Sequence, residues 1–147
     1  MKRYVLGFAF DSDRRVALIK KKRPDWQAGR WNGIGGHVEE DETSKEAMAR
    51  EFAEEAGVLI EYPHWRRVAV MECPNVWECI VYTVQDKRIA NAFTQTDESV
   101  GLFSCVAFKR IAMDCIENVP ALIEICAMRR DHTGVLPFVR FHYGNEP

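Results

Sequence analysis

Short runs of apolar residues, rich in β-branched and aromatic side chains, recur along the chain and predict β-strands. Two of them, Tyr4–Phe10 and Arg15–Lys22, flank the polar turn at 11–13 and predict a hairpin. The stretch 23–36 is rich in glycine and proline and predicts a loop. Later runs predict four strands and a final segment that is either an edge strand or a tail. They are Val58–Tyr62, Arg67–Glu72, Val76–Val84, Val100–Phe108 and, last, Leu136–Tyr143.

Two helices are predicted, at Thr43–Ala56 and Val119–Arg130. The first opens with Thr43 and Glu46, the spacing of a capping box, and Gly57 follows where a helix commonly ends. Its apolar residues share one stripe at helical spacing: Ala49, Phe52, Ala53 and Ala56. Strands surround the helices without regular alternation. The pattern therefore predicts one α/β domain over residues 1–147, a mixed sheet with helices on both faces.

Three glutamates near the end of the first helix, Glu51, Glu54 and Glu55, fall within a wedge of roughly 100°, almost opposite the apolar stripe. A solvated charged face would give the same pattern. However, these carboxylates repel one another by a few tenths of a kcal/mol per pair, and they lie at the negative end of the helix dipole. Arg50 offsets only part of this repulsion. The alternative interpretation is a divalent cation held by oxygen ligands, either magnesium or manganese.

Gly33, Gly35 and Gly36 precede this helix and can bring main-chain groups close to a ligand. Glycine clusters more often form tight turns than phosphate cradles. The closeness of this cluster to the carboxylates favours the cradle.

The residues around this helix resemble a known sequence motif. They read Gly36-x5-Glu42-x7-Arg50-Glu51-Phe52-x-Glu54-Glu55-x-Gly57-Val58 and span 23 of 147 residues. This pattern resembles the Nudix box, with Phe52 where an aliphatic residue is usual. The resemblance implies an α/β/α sandwich and hydrolysis of a nucleoside diphosphate that is linked to another group.

The resemblance also implies roles for individual residues. The metal site would use three glutamates and a main-chain carbonyl: Glu51, Glu54, Glu55 and Gly35. Arg50 and Glu42 would hold the glutamates by ion pairing, which is also how they would stabilise a plain helix. Glu54 is the first choice for the general base. Glu98, next to Asp97, is a second candidate or part of an exposed turn.

Substrate choice depends on residues outside the box. Trp26 and Trp31 could stack on a base, although tryptophans are more often core residues, and His37 could contact a phosphate or lie in water. The loop around Trp26 favours a nucleoside triphosphate or a small nucleotide derivative. Pro74, 16 residues after Val58, is the feature that favours an ADP-ribose or ADP-sugar substrate instead. A non-catalytic nucleotide-sensing module is the remaining alternative, but such modules typically lose box glutamates.

Composition bears on the partners of the protein and on its location. A net charge of −2 with dispersed basic residues favours neither a nucleic-acid polymer nor a membrane as partner. The basic run Lys20–Arg23 is read as a solvated strand end or as a local aid to binding an anionic small molecule. Five cysteines without a Cys-x-x-Cys pair indicate reduced thiols. We expect a cytoplasmic protein without a signal peptide; homodimer formation is left open.

Overall fold

Eight strands join into one mixed sheet in the structure, a computed structural model that describes residues 1–104, 110–131 and 138–144. The strands are β1 (Lys2–Phe10), β2 (Val16–Lys20), β3 (Trp31–Asn32), β4 (Ile34–His37), β5 (Arg66–Cys73), β6 (Trp77–Gln85), β7 (Val100–Phe103) and β8 (Val139–His142). The main path runs β3-β2-β1-β6-β5-β8, while β4 pairs with β1 and β7 with β2.

Strand β1 is the centre of this sheet. It pairs in parallel with β6 along its whole length, from Lys2 opposite Trp77 to Phe10 opposite Gln85. Its other edge is shared, because β2 pairs with Ala9 and Phe10 while β4 pairs with the segment 4–7. The glycine-rich β4 is therefore placed beside the first half of β1.

Two helices, α1 (Ser44–Ala56) and α2 (Val119–Asp131), pack on opposite faces of the sheet. Alternate residues of β1 enter the two layers: Val5 lies in the cluster with α1, and Leu6 and Phe8 lie in the cluster with α2. This arrangement is the predicted α/β/α sandwich. In the described part of the chain no helix has the length and apolar character needed to cross a membrane.

Both ends of α1 confirm the local prediction. Thr43 is the N-cap: its Oγ1 accepts from the Glu46 N–H at 3.3 Å, and the Glu46 carboxylate accepts from the Thr43 N–H at 2.7 Å. Gly57 ends the helix with φ of 72°, in the left-handed region where glycine carries no Cβ penalty. These caps fix where the box glutamates stand along the helix.

The prediction of a strand at Val58–Tyr62 is wrong. Val58 and Ile60 are buried and Leu59 is exposed, so the alternation is real, but the segment pairs with none of the described strands and leads into a short 3₁₀ turn, Tyr62–His64. Conversely, β3 and β4 lie mostly in the stretch predicted as a loop. The glycines of β4 look like turn residues, but Gly35 permits close approach to β1.

The remaining predicted elements are found, with shifted ends. The strand predicted at Val100–Phe108 covers Val100–Phe103; residues 105–109 lie outside the described ranges. The C-terminal segment supplies an edge strand, since β8 pairs in parallel with β5; residues 136 and 137 lie outside the description. The four described cysteines are buried; Cys105 is not among the described residues.

Replacing Gly35 by alanine should destabilise the protein strongly. A Cβ at this position would lie 1.9 Å from the Val5 carbonyl oxygen, so β1 and β4 would have to separate. We expect the free energy of unfolding to fall by at least about 2 kcal/mol, as for overpacked cores. Denaturant unfolding measures it. Gly144→Ala is the control, because nothing lies within 4 Å of its Cβ position; equal stability of the two variants would contradict the close approach.

Candidate metal centre and nucleotide site

Arg50 is the central residue of an ion-pair network between α1 and the loop that precedes it. Its Nε and Nη2 donate to both carboxylate oxygens of Glu42, at 3.0 and 2.6 Å. Nη1 donates to Glu51 at 2.9 Å and to Glu54 at 3.4 Å, and Nη2 also reaches the His37 carbonyl at 3.0 Å. The hydrogen bonds to Glu42 raise the pKa of Arg50, and Arg50 lowers the pKa of Glu42 in turn. The guanidinium thus fixes α1 to the loop before it.

Glu51 lies against the glycines of β4. Its side chain is only 13% exposed. A Cβ at Gly36 would lie 2.5 Å from the Glu51 carboxyl carbon, so only glycine leaves room for this carboxylate. Burial raises the pKa of Glu51, while the hydrogen bond and charge of Arg50 oppose the rise. The position therefore holds a carboxylate that is partly withdrawn from water.

Glu55 is the proposed metal ligand whose pKa departs furthest from its ordinary value. Its Oε2 is buried and has no hydrogen-bond partner among the described residues. Burial raises the pKa of Glu55 to about 7; the charge of Lys21 opposes this rise, and nearby carboxylates, including Glu51 and Glu98, add to it. A buried carboxylate oxygen without a donor is a costly arrangement that a bound cation would relieve.

Glu54, by contrast, is exposed, with 59% of its side chain in contact with solvent. The three predicted metal ligands lie on adjacent turns of α1 but do not form a closed cage. Within residues 1–104, 110–131 and 138–144, no three His, Cys, Asp or Glu side chains are grouped so that they could hold a metal ion. Hard cations such as Mg²⁺ commonly take one or two carboxylates and complete their shell with water and phosphate oxygens. The residues present fit that kind of site.

Glu98 is buried, not part of an exposed turn, with 4% of the residue accessible. Its Oε1 accepts from Lys21 Nζ at 3.1 Å and its Oε2 from the Lys22 main-chain N–H at 2.7 Å. Burial alone would raise the pKa of Glu98, but these donors lower it overall. Next to it, Asp97 pairs with Arg23 at the surface. The Glu98 carboxylate is thereby held ionised.

The predicted aromatic residues occupy three different settings. Trp26, in a short 3₁₀ turn, is 66% exposed, as its loop position predicted. Trp31 is half-buried, packs edge-on against Phe103 at 4.8 Å and contacts the core cluster on the α2 side of the sheet. His37 is exposed and its ring lies 4.5 Å from that of Tyr4. Of these side chains, Trp26 is the one left free to meet a ligand over most of its surface.

A cleft of about 410 Å³ lies between the end of β2 and the segment that follows Trp26. It is lined by Lys20, Lys21, Lys22, Ala28, Gly29 and Ser99. Lys20 and Lys22 add positive charge that suits an anionic ligand, whereas the Lys21 ammonium is paired with Glu98. Sequence reasoning treated the basic run as a whole and missed Lys21; the alternation along β2, which places it on the same side as buried Ile19, is the signal that could have singled it out.

The family of the chain follows from its sequence. A profile of the NUDIX domain matches residues 1–113, which is most of the chain. The box residues quoted above lie within this range, and the fold around them is the sandwich that the box implies. The chain belongs to the Nudix family.

Individual relatives match shorter stretches. The chain is 47% identical over 51 residues to an oxidized purine nucleoside triphosphate hydrolase of Mus musculus, covering 35% of this chain and 32% of that protein. It is 35% identical over 54 residues to the CTP pyrophosphohydrolase of Escherichia coli (strain K12), covering 37% of this chain and 40% of that protein. The chain thus matches less than half the length of these curated relatives.

A solved structure shares the fold. It is a bifunctional NMN adenylyltransferase/ADP ribose pyrophosphatase from Francisella tularensis, complexed with AMP and a Mn ion. The TM-score is 0.72 at 18% identity, over 87% of this chain and 41% of that one. At this identity the likeness concerns the fold alone.

Replacing Glu55 by glutamine should stabilise the metal-free protein at alkaline pH. The folded pKa of about 7 lies above the ordinary 4.5, so the folded state binds more protons and loses stability as the pH rises from 4.5 through 7. In chelator at pH 8 we expect Glu55→Gln to exceed wild type by about 1–3 kcal/mol, and near pH 4.5 to match it closely. Denaturant titrations at the two pH values measure the difference.

The matched control for this measurement is Glu54→Gln, which removes an exposed carboxylate one position away. Its effect should stay within about 0.5 kcal/mol at both pH values. A Glu55 variant that is less stable than wild type at pH 8 would contradict the uncompensated burial.

Proposed function

We propose that this protein is a magnesium-dependent pyrophosphohydrolase that cleaves a phosphoanhydride bond in a nucleoside triphosphate or a small nucleotide derivative. The single observation that carries the proposal is the buried Oε2 of Glu55, which has no donor in the described part of the chain, close to Glu51, whose side chain is 13% exposed. Such an arrangement is stabilised when a divalent cation binds. Membership of the Nudix family supports the same reading.

Glu51, Glu54 and Glu55 would hold the cation together with the main-chain carbonyl of Gly35. Manganese could substitute for magnesium, since the proposed ligands are all oxygens. When bound, the metal neutralises diphosphate oxygens and acidifies an attacking water. The residues of the chain orient this chemistry: Arg50 fixes Glu51 at 2.9 Å, and the absence of a side chain at Gly36 leaves the carboxylate its place.

Two carboxylates could accept the proton of the attacking water. Glu54 is exposed and stands among the proposed metal ligands, so a water can reach it directly. Glu98 comes from another segment and is kept ionised by its donors, Lys21 and the Lys22 N–H. Loss of the general base lowers turnover by about 10²–10⁴-fold. Because Glu54 is also a proposed metal ligand, Glu98→Gln is the deciding variant: a loss of kcat of this size assigns the base to Glu98, and normal turnover assigns it to Glu54.

The substrate class is inferred from the surroundings of the carboxylates. The cleft beside β2 carries lysines that suit a polyphosphate, and exposed Trp26 offers a stacking surface for a base. His37 and Trp31 are further candidates for substrate contact. The matched relatives named for nucleoside triphosphates support this class. The expected products are a nucleoside monophosphate and pyrophosphate.

An ADP-ribose or ADP-sugar substrate is the second candidate, and Pro74 favours it. This proline lies in the turn that joins β5 to β6. The fold neighbour named as an ADP ribose pyrophosphatase is compatible with it. Cleavage would then give two monophosphates, which distinguishes the candidates by product alone.

Purified protein with millimolar magnesium should release phosphate from a nucleoside triphosphate only after inorganic pyrophosphatase is added. A panel of ordinary and oxidised purine nucleotides, CTP and ADP-ribose, the last coupled to alkaline phosphatase, ranks the substrates. Chelator should abolish the signal, because the glutamates repel one another without a cation. Release of single phosphates without the coupling enzyme would contradict the cleavage position, and binding without turnover would indicate a sensing module.

Replacing Trp26 by alanine should raise KM several-fold or more while kcat changes little. Base–aromatic stacking contributes about 1–3 kcal/mol in single-strand binders. Because Trp26 is 66% exposed, the melting temperature should shift little. Leu59→Ala, at a residue that is 61% exposed, is the control and should leave KM unchanged. An unchanged KM for the Trp26 variant would remove it from the site.

A further inference from the structure

The Lys21 side chain brings its ammonium group to the Glu98 carboxylate. It follows β2 directly, and strand alternation places its side chain on the face of Ile19, which lies in the core cluster with α1. Its Nζ lies 3.1 Å from Glu98 Oε1, and only 18% of the side chain is exposed. A lysine side chain that is largely withdrawn from water needs a specific partner, and the partner of Lys21 is the buried Glu98 carboxylate.

The segment that carries Glu98 is already attached to the end of β2 by main-chain bonds. The Lys20 N–H donates to the Ser99 carbonyl at 2.8 Å, and the Lys22 N–H donates to Glu98 Oε2 at 2.7 Å. The second oxygen, Oε1, has Lys21 as its close partner; the Arg23 guanidinium is farther away, at 3.8 Å. Lys21 therefore sets the orientation of the carboxylate, whereas the main chain sets the position of the segment.

The same ammonium acts on a second carboxylate. Burial raises the pKa of Glu55, and Lys21 is the positive charge that opposes this rise. Within the described part of the chain the Oε2 of Glu55 receives no hydrogen bond, and the charge of Lys21 acts on Glu55 through space. Lys21 thus forms an ion pair with Glu98 and acts on Glu55, which belongs to α1, at longer range.

We propose that Lys21 is a positioning residue: it is the resident cation that holds Glu98 beside Glu55, and it competes with the divalent cation for these carboxylates. Both parts of this inference rest on the metal site of the proposed function, but the metal-binding part does not require nucleotide cleavage. The ammonium keeps Glu98 ionised and in place before metal binds. Its positive charge also weakens metal binding at the adjacent glutamates, since like charges repel.

The first test measures Mn²⁺ binding by electron paramagnetic resonance at pH 8.5, without any nucleotide. Lys21→Met should bind Mn²⁺ roughly tenfold more tightly than wild type, because one opposing charge is gone. In chelator its melting temperature should fall by roughly 4 °C or more, since Glu98 loses its counter-ion. An unchanged or weaker affinity for Mn²⁺ would overturn the competition.

Three further variants keep this test decisive. Lys87→Met removes an exposed lysine from a distant turn and should bind Mn²⁺ as wild type does. Lys21→Gln is neutral but retains an amide donor for Glu98, and it replaces Lys21→Met if the latter does not fold. Lys21→Arg keeps the charge and should hold the Mn²⁺ affinity within about twofold of wild type.

The second test separates positioning from direct contact with substrate. Lys21→Met should lower kcat about tenfold with KM within twofold of wild type, and Lys21→Arg should restore most of the loss. In a Glu98→Gln background and at saturating magnesium, the Lys21 substitution should have no further effect on kcat, because Lys21 acts on turnover through that one carboxylate. A raised KM that persists in that background would show a direct phosphate contact and overturn the positioning role, as would a Glu98→Gln variant with normal turnover.

The two proposals fail in different ways. Wild-type protein that cleaves no nucleotide, together with tighter Mn²⁺ binding by Lys21→Met, would refute the proposed function and leave the metal competition standing. Active wild-type protein whose kcat and Mn²⁺ affinity are unaffected by Lys21→Met would do the reverse.

Discussion

The arrangement of this site depends on one constraint: carboxylates of α1 are directed towards the sheet, where water cannot fully solvate them. Removing charged groups from water is costly unless counter-charges and donors are nearby. Arg50 supplies them for Glu51, and Lys21 supplies part of what Glu55 needs. The buried Oε2 of Glu55 still has no donor among the described residues, and this unmet charge favours the binding of a cation.

The glycines of β4 make this burial possible. Gly35 lies so close to β1 that a Cβ would overlap the Val5 carbonyl, and Gly36 provides the space that the Glu51 carboxylate fills. A strand with ordinary side chains here would push α1 away from the sheet. The carboxylates would then face solvent, where their pKa values would be ordinary and their need for a cation weak. The box couples its glycines to its glutamates through this contact.

Local signals in the sequence were sufficient for α1 and for most strands. Thr43, Glu46 and Gly57 determine the ends of the helix through hydrogen bonds within a few residues, so their pattern can be read directly. Which side of α1 faces solvent was harder to predict. The wheel placed Glu51 almost opposite the apolar stripe, yet 87% of its side chain is hidden from solvent, because the sheet lacks side chains where the two meet.

What sequence reasoning missed depended on partners distant in the chain. The alternation at Val58–Tyr62 is real, but none of the described strands pairs with that segment. Strand β4 was predicted as a loop, because the need for its glycines appears only in their contact with β1. Lys21 was noted within a basic run, while its role comes from Glu98, far along the chain. In each case the missing information was a tertiary contact.

The parallel pairing of β1 with β6 has a consequence for the way the molecule forms. Lys2 lies opposite Trp77 and Phe10 opposite Gln85, so every contact of this ladder closes a loop of about 75 residues. Loop closure of this kind must precede the stabilisation that it brings, and domains dominated by such contacts fold slowly for their size. Strand β1 also supports β4, and β4 receives α1. The helix can therefore form early through its own caps, but its glutamates meet the glycines only once β4 has paired with β1.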